Sequence, residues 1–299
     1  MGVSRKTEDQ KSNGRLADAQ EDTQRRYTTA MQRAYLNGSA ENSGPFLRRP
    51  CGIYVAGCGD YRLQSPQRLR RLYIHELEDW PRFRWSAERI AEPLASVRHR
   101  QGRLIGHMEA LGFGIRQEAV LQTLTADVVK SSEIEGEKLD AEQVRSSIAR
   151  RLGMDIGGLK PADRPVEGVV EMMLDATRNY NQPMTSERLF AWHAALFPTG
   201  RSGMSKIRTG SWRDDSGGPM QVVSGPMGKE HVDFEAPKAN RLDREMKLFL
   251  DWFEGDKTTD PVLHAGLAHL WFVTIHPFDD GNGRVARAIA DMALARSEK

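Results

Sequence analysis

His276-Pro277-Phe278-Asp279-Asp280-Gly281-Asn282-Gly283-Arg284-Val285-Ala286-Arg287 is the stretch on which the reading of this chain turns. Apolar residues at helical spacing lead into it, with Leu263, Leu267, Leu270 and Val273 or Thr274 on one face. Ala286 to Ala295 continues helically on the far side. The glycine turn therefore opens onto a helix N-terminus, where free backbone N–H groups and the helix dipole attract anions. Glycine lets the backbone approach a ligand without a Cβ in the way. Arg284 and Arg287 stand at i and i+3 on the new helix and can share a face. Asp280 brings a carboxylate suited to a hard divalent cation, and His276 can take a proton beside it. The arrangement suits a polyphosphate with a divalent cation. The plain alternative is a helix-loop-helix with a glycine turn and a charged rim.

These residues resemble the signature of the Fic family, His-x-Phe-x-(Asp/Glu)-Gly-Asn-Gly-Arg-x-x-Arg, and every fixed position is matched. The resemblance implies a mainly α fold, with a Fic-type helical core and a short β-hairpin flap. It also implies a protein adenylyltransferase that moves AMP from ATP, with Mg2+, to a Ser, Thr or Tyr hydroxyl of a target protein. In that reading His276 is the base and Asp280 holds the metal. The N–H groups of Gly281, Asn282 and Gly283 hold phosphate oxygens. Arg284 meets the β-phosphate and Arg287 the γ-phosphate. Phe278 anchors the loop, and Asp279 faces solvent. Phosphorylating Doc-type relatives depart from the Gly-Asn-Gly-Arg run, which is intact here, so AMP transfer is favoured over phosphorylation.

Composition sets the frame around this site. Hydrophobic residues make up 39% and charged residues 28%, as in ordinary globular proteins. The net charge is +2, so nothing general points to nucleic acid or to an anionic membrane. No run reaches the roughly 20 apolar residues of a membrane helix. Cys51 and Cys58 are the only cysteines, which argues against a disulfide framework and makes a cytoplasmic site the default.

Residues 1–72 are rich in Arg, Gln, Ser, Asn, Gly and Asp without sustained periodicity, and read as a disordered leader. Residues 73–158 read as a small helical domain, the kind that precedes the core in many bacterial members of the family. Ser86 caps its first helix, along which Ile90, Leu94, Val97, Leu104, Met108 and Leu111 recur at helical spacing. A second helix runs from about Arg116 to Glu133 with Leu121, Leu124 and Val128 as its stripe. Ser131 and Glu135 lie four apart on one face of it, and Gly136 can end it. By resemblance this is the family's inhibitory motif, (Ser/Thr)-x-x-x-Glu-(Gly/Asn), in which the glutamate pairs with the second motif arginine, here Arg287, and blocks the γ-phosphate seat.

Residues 159–299 read as the catalytic core. Asp140, Thr185 or Ser186, and Asp260 are helix caps, the last with Pro261 at the first helical position. His193 reads as a packed or surface histidine rather than a ligand, and His264 and His269 as buried, hydrogen-bonded histidines. Gln221, Val222 and Val223, with His231 to Phe234, form a hairpin; the resemblance makes it the flap that pairs with the target segment. Gly210-Ser211-Trp212-Arg213 fits the family's lead-in to that flap. The chain stops at Lys299, about four turns into the last helix, where the resemblance implies further helices. Self-modification and a homodimer are the expected partnerships besides the target. A bifunctional enzyme that also removes AMP, and a non-catalytic nucleotide-sensing regulator, are the alternatives.

Overall fold

The computed structural model describes residues 53–54, 72–155, 157–224 and 231–297. The expected leader and both cysteines fall almost wholly outside these residues. The chain forms two compact units, residues 1–95 and 96–299.

In the first unit, Ile74–Glu76 is a 3-10 turn closed by a hydrogen bond from the Tyr73 N–H to Glu76 Oε2 at 2.9 Å. Two short strands, β1 (Ile53–Tyr54) and β2 (Arg84–Trp85), pair antiparallel. The sequence pattern gave no sign of this pair. Helix α1 (Ala87–Ala110) begins here and runs on into the second unit. It starts where the Ser86 cap predicts, since Ser86 Oγ accepts from the Arg89 N–H at 3.3 Å. Its apolar stripe is nowhere fully buried: Val97 is 44% and Leu104 63% exposed, and Ile90, Leu94, Met108 and Leu111 are half-buried.

In the second unit, α2 (Phe113–Ile134) buries Leu121 and Val128 and ends in a glycine-centred reversal. The Gly136 N–H bonds to the Glu133 carbonyl at 3.0 Å, and the Glu137 N–H to the Ser132 carbonyl at 2.9 Å. This is the Schellman pattern, and it requires the left-handed conformation that Gly136 adopts at φ 80°. Helix α3 (Ala141–Arg151) is capped by Asp140, whose carboxylate accepts from the N–H groups of Glu142 and Gln143. Helices α4 (Arg164–Arg178) and α5 (Ser186–Leu196) cross closely at Gly168, where any Cβ would run into the Ala195 carbonyl. Thr185 caps α5. A β3–β4 pair (Arg201–Ser202 with Ser205–Lys206) and the β5–β6 hairpin (Gln221–Ser224 with His231–Glu235) follow. In the hairpin Val222 faces Phe234 and Val223 faces Val232, with a bulge between Val222 and Val223.

Helix α6 (Leu242–Gly255) buries Met246 and lays the Phe249 and Phe253 rings against Trp271, Phe272 and His264 of α7 (Pro261–Ile275). Asp260 caps α7 through the Val262 and Leu263 N–H groups. The buried residues of α7 include Leu267, Ala268, Leu270, Trp271, Phe272 and Ile275, more than one face. A helix apolar on several sides must sit inside the fold. Helix α8 (Asn282–Ser297) packs against α7, α4 and α5 and buries Val285, Ile289 and Met292. The core thus consists largely of helices that hold the ends of α7 and α8 together. Among the described residues no helix is long and apolar enough to cross a membrane.

Candidate active site

The last turn of α7 delivers His276 in the left-handed conformation, φ 51° and ψ 60°, the only non-glycine with positive φ among the described residues. Its N–H still bonds to the Phe272 carbonyl at 3.0 Å, so the residue belongs to the helix end. Its Nδ1 lies 3.2 Å from the Val273 carbonyl. A carbonyl can only accept, so Nδ1 carries the hydrogen and the Nε2 lone pair is left for a proton. Burial pushes the imidazole below its usual range, the Val273 carbonyl pulls it up, and the Arg213 charge pushes it down again. The net effect favours the neutral ring.

Several side chains fix the loop after His276. Arg213 is buried and donates from Nε to the His276 carbonyl at 2.8 Å, from Nη1 to Asp215 at 3.0 Å and from Nη2 to the Pro237 carbonyl at 2.5 Å. Its backbone N–H bonds to the Pro277 carbonyl at 2.9 Å. Asn282 clasps the loop from the other side: its side-chain oxygen accepts from the Phe278 N–H at 3.0 Å and its amide donates to the Phe278 carbonyl at 2.8 Å. Phe278 is fully buried, as an anchor should be. It stacks on His193 with ring centres 4.1 Å apart and meets Trp212 at 5.2 Å. His193 Nε2 lies 3.2 Å from the Asp280 carbonyl, and burial drives its pKa down to about 4. His193 is therefore packed, one of the two placements the sequence left open, and it braces the loop. Asp279 is half-buried and accepts from the Arg208 N–H at 2.8 Å, whereas the sequence reading set it in solvent.

The side that the sequence reading gives to phosphates lies at the start of α8. The Gly281 N–H bends back to Asp280 Oδ1 at 2.5 Å, while the other Asp280 oxygen accepts from Ser202 Oγ. Asn282 and Gly283 contribute first-turn N–H groups, which a helix leaves without internal partners. Gly281, at φ 77°, packs so tightly on Phe197 that a Cβ would press into the ring.

Both motif arginines are already engaged. Arg287 donates from Nε to Ser131 Oγ at 2.8 Å and from Nη2 to Glu135 Oε1 at 2.7 Å. A second bond from Nη2 reaches the Ser131 carbonyl at 2.9 Å. Ser131 and Glu135 thus meet α8 through Arg287, while Gly136 makes the turn that ends α2. The Glu135 carboxylate fills the space a Cβ on Gly283 would need. Arg284 is 2% exposed, lies 5.0 Å above the Phe197 ring, and donates from Nη1 to Glu137 Oε2 at 2.5 Å. Sequence reasoning assigned no part in the site to Glu137, Ser202 or Arg213, and it read His193 only as a non-ligand histidine. Only Arg213 carried a signal, through its place in the Gly210–Arg213 run.

Comparison with known proteins defines the class first. Residues 183–294 match the profile of the Fic/DOC family, and the chain carries a domain of that family. Residues 73–154 match a second profile, a domain of unknown function, DUF4172. Among particular proteins, the chain is similar to protein adenylyltransferase fic-1 of Caenorhabditis elegans, 42% identical over 55 residues, which cover 18% of this chain and 11% of that protein. It is also similar to a uridine 5'-monophosphate transferase of Xanthomonas campestris, 31% identical over 123 residues, covering 38% of this chain and 21% of that protein. A Fic domain containing signaling protein from Bacteroides thetaiotaomicron aligns at TM-score 0.49 and 21% identity, over 64% of this chain and 70% of that one. The chain thus spans 11% and 21% of the lengths of the two curated relatives described.

Proposed function

We propose that this chain is a protein adenylyltransferase, joining AMP from ATP to a Ser, Thr or Tyr hydroxyl of a target protein, and that Glu135 restrains it. The observation that carries the reading is the shared helix junction: a neutral His276 with a free Nε2 closes one helix, and an anion-binding helix end with two arginines opens the next. The target hydroxyl gives its proton to His276 Nε2 as its oxygen bonds to the α-phosphorus. The bond from that phosphorus to the β-phosphate bridge breaks, and pyrophosphate leaves. Arg284 and Arg287 take the β- and γ-phosphates, for which guanidinium forks are well shaped. The N–H groups at the start of α8 hold phosphate oxygens in a preorganised cradle.

Mg2+ fits this site. Among the described residues no group of three or more His, Cys, Asp or Glu side chains could hold a metal. Mg2+ at nucleotide sites asks for less, often one carboxylate together with phosphate oxygens and water, and Asp280 supplies that carboxylate. When bound, the ion would neutralise charge on the phosphates.

The flap of Gln221, Val222 and Val223 offers a strand edge to the target, and backbone pairing there tolerates varied sequences. Glu135 restrains the enzyme because Arg287 cannot hold a γ-phosphate while it holds the carboxylate. The test is labelling of a lysate, and of the chain itself, with ATP radiolabelled at the α-phosphate. Glu135→Gly should label at least about tenfold more strongly than wild type, the size of one freed charge-assisted contact. Adding His276→Ala should remove the signal. Equal labelling with and without His276 would overturn the reading. UTP labelled at the α-phosphate belongs in the same experiment, since the cradle described reads phosphates rather than a base.

A further inference from the structure

The reversal at Gly136 turns out two carboxylates, and each meets a different motif arginine. Glu135 reaches Arg287 at 2.7 Å and Glu137 reaches Arg284 at 2.5 Å. The Schellman hydrogen bond from the Glu137 N–H to the Ser132 carbonyl fixes the backbone of the second carboxylate as firmly as the helix fixes the first. The two arginines differ in setting. Arg287 keeps 19% of its side chain exposed, whereas Arg284 keeps 2%, wedged between Phe197 and Glu137. A guanidinium so enclosed needs a counter-ion, because a buried unpaired charge is strongly unfavourable. Its Nε is also buried without a hydrogen-bond partner among the described residues, so its donors are only partly used. A phosphate can reach Arg284 only after Glu137 has left. Glu137 itself is 41% exposed and has water to move into.

We propose that Glu137 is a second displaceable counter-ion, and that it sets which nucleotides bind by their number of phosphates. The inference rests on the adenylyltransferase reading given above. Glu137 holds the seat of the β-phosphate as Glu135 holds that of the γ-phosphate. ATP clears both carboxylates, ADP clears Glu137 only, and AMP clears neither. The glutamate at 135 therefore governs ATP alone, while the one at 137 governs every nucleotide with a β-phosphate.

The two roles separate in a binding experiment. Titration calorimetry with Mg2+ and ATP, ADP or AMP would be run on the full chain carrying His276→Ala, which keeps ATP intact. Adding Glu137→Gln should tighten both ATP and ADP about tenfold and leave AMP as it was. Adding Glu135→Gly should tighten ATP and leave ADP near the parent value. Glu137→Ala, at a position that opens no core cavity, should repeat the Glu137→Gln pattern. If both Glu137 variants bind ATP and ADP like their parent while Glu135→Gly tightens ATP, the role given to Glu137 is wrong and the enzyme reading survives. If none of the variants binds any nucleotide, the enzyme reading falls as well.

Discussion

Arg213 donates its Nε–H to the backbone carbonyl of His276 across 2.8 Å. The same side chain reaches Pro237, just beyond the β5–β6 hairpin, at 2.5 Å. One buried guanidinium therefore joins the candidate base to the foot of the candidate docking flap. It also satisfies a helix-end carbonyl that α7 cannot satisfy itself.

Replacing Arg213 with Met should strip these carbonyls and Asp215 of their donor. The expected loss of stability is about 3 kcal/mol, in the range for breaking a buried ion pair. Denaturant unfolding measures it. Labelling by the Glu135→Gly form should fall at least about tenfold with Arg213→Lys, because a lysine cannot span the three acceptors in one plane. Labelling and stability both unchanged would remove Arg213 from the site's support.

The acid limb of the reaction should report His276. The base must be neutral, and burial holds the ring below its usual value of 6.5. Activity should therefore be level through neutral pH and fall only below 6.5, as the ring takes a proton. A rate-against-pH profile of the Glu135→Gly form tests this. A limb centred above 6.5 would mean that the ring is stabilised in its charged form, contrary to the environment described.

Stability should also depend on pH, and His193 gives the sign. Its folded pKa is about 4 against 6.5 for a free ring. Between those values the unfolded chain binds more protons, so its contribution is fully present above about 6.5 and drains away as the pH falls toward 4. The contribution is about 3 kcal/mol by the usual conversion. His269, also lowered to about 4, adds in the same direction. Asp291, raised to about 6 by burial, works against both, since it holds a proton only in the folded state. Two histidines against one aspartate leave a net loss in acid. Urea unfolding at pH 7.5 and pH 5 should show it, and His193→Gln should shrink the difference. The same difference in both proteins would count against this account.

Gly168→Ala should be among the most damaging single-methyl changes in the chain. The added carbon would overlap the Ala195 carbonyl, which is backbone and cannot swing away. Helices α4 and α5 would have to separate, at about 3 kcal/mol or more, as overpacked cores do. A thermal melt measures it, and an unchanged midpoint would show that the helices can slide apart freely.

Much of this was legible in the chain itself. Asp140, Thr185 and Asp260 announce their helices because capping is local, decided within three residues. The His276–Arg287 run is likewise local, so its helix, turn and second helix follow from spacing. The β5–β6 hairpin was readable for the same reason, whereas the mainly α fold followed from the resemblance of that run to a known family. The short β1–β2 and β3–β4 pairs were not, being too brief to show alternation. The contact of Ser202 with Asp280 and that of Glu137 with Arg284 bridge residues 78 and 147 positions apart. No spacing rule sees such contacts, because they depend on where whole helices come to rest. The stripe of α1, no residue of which is fully buried, shows the opposite limit: periodicity marks a helix, but it does not say how deeply the helix packs.

His276 has one further consequence. Its N–H is the last rung of α7, between the fully buried Ile275 and the Pro277–Phe278 turn, so the candidate base can leave its place only if the centre of the protein opens. Its amide should then trade hydrogen for deuterium no faster than the whole molecule unfolds, unlike the amides of ordinary helix ends, which fray.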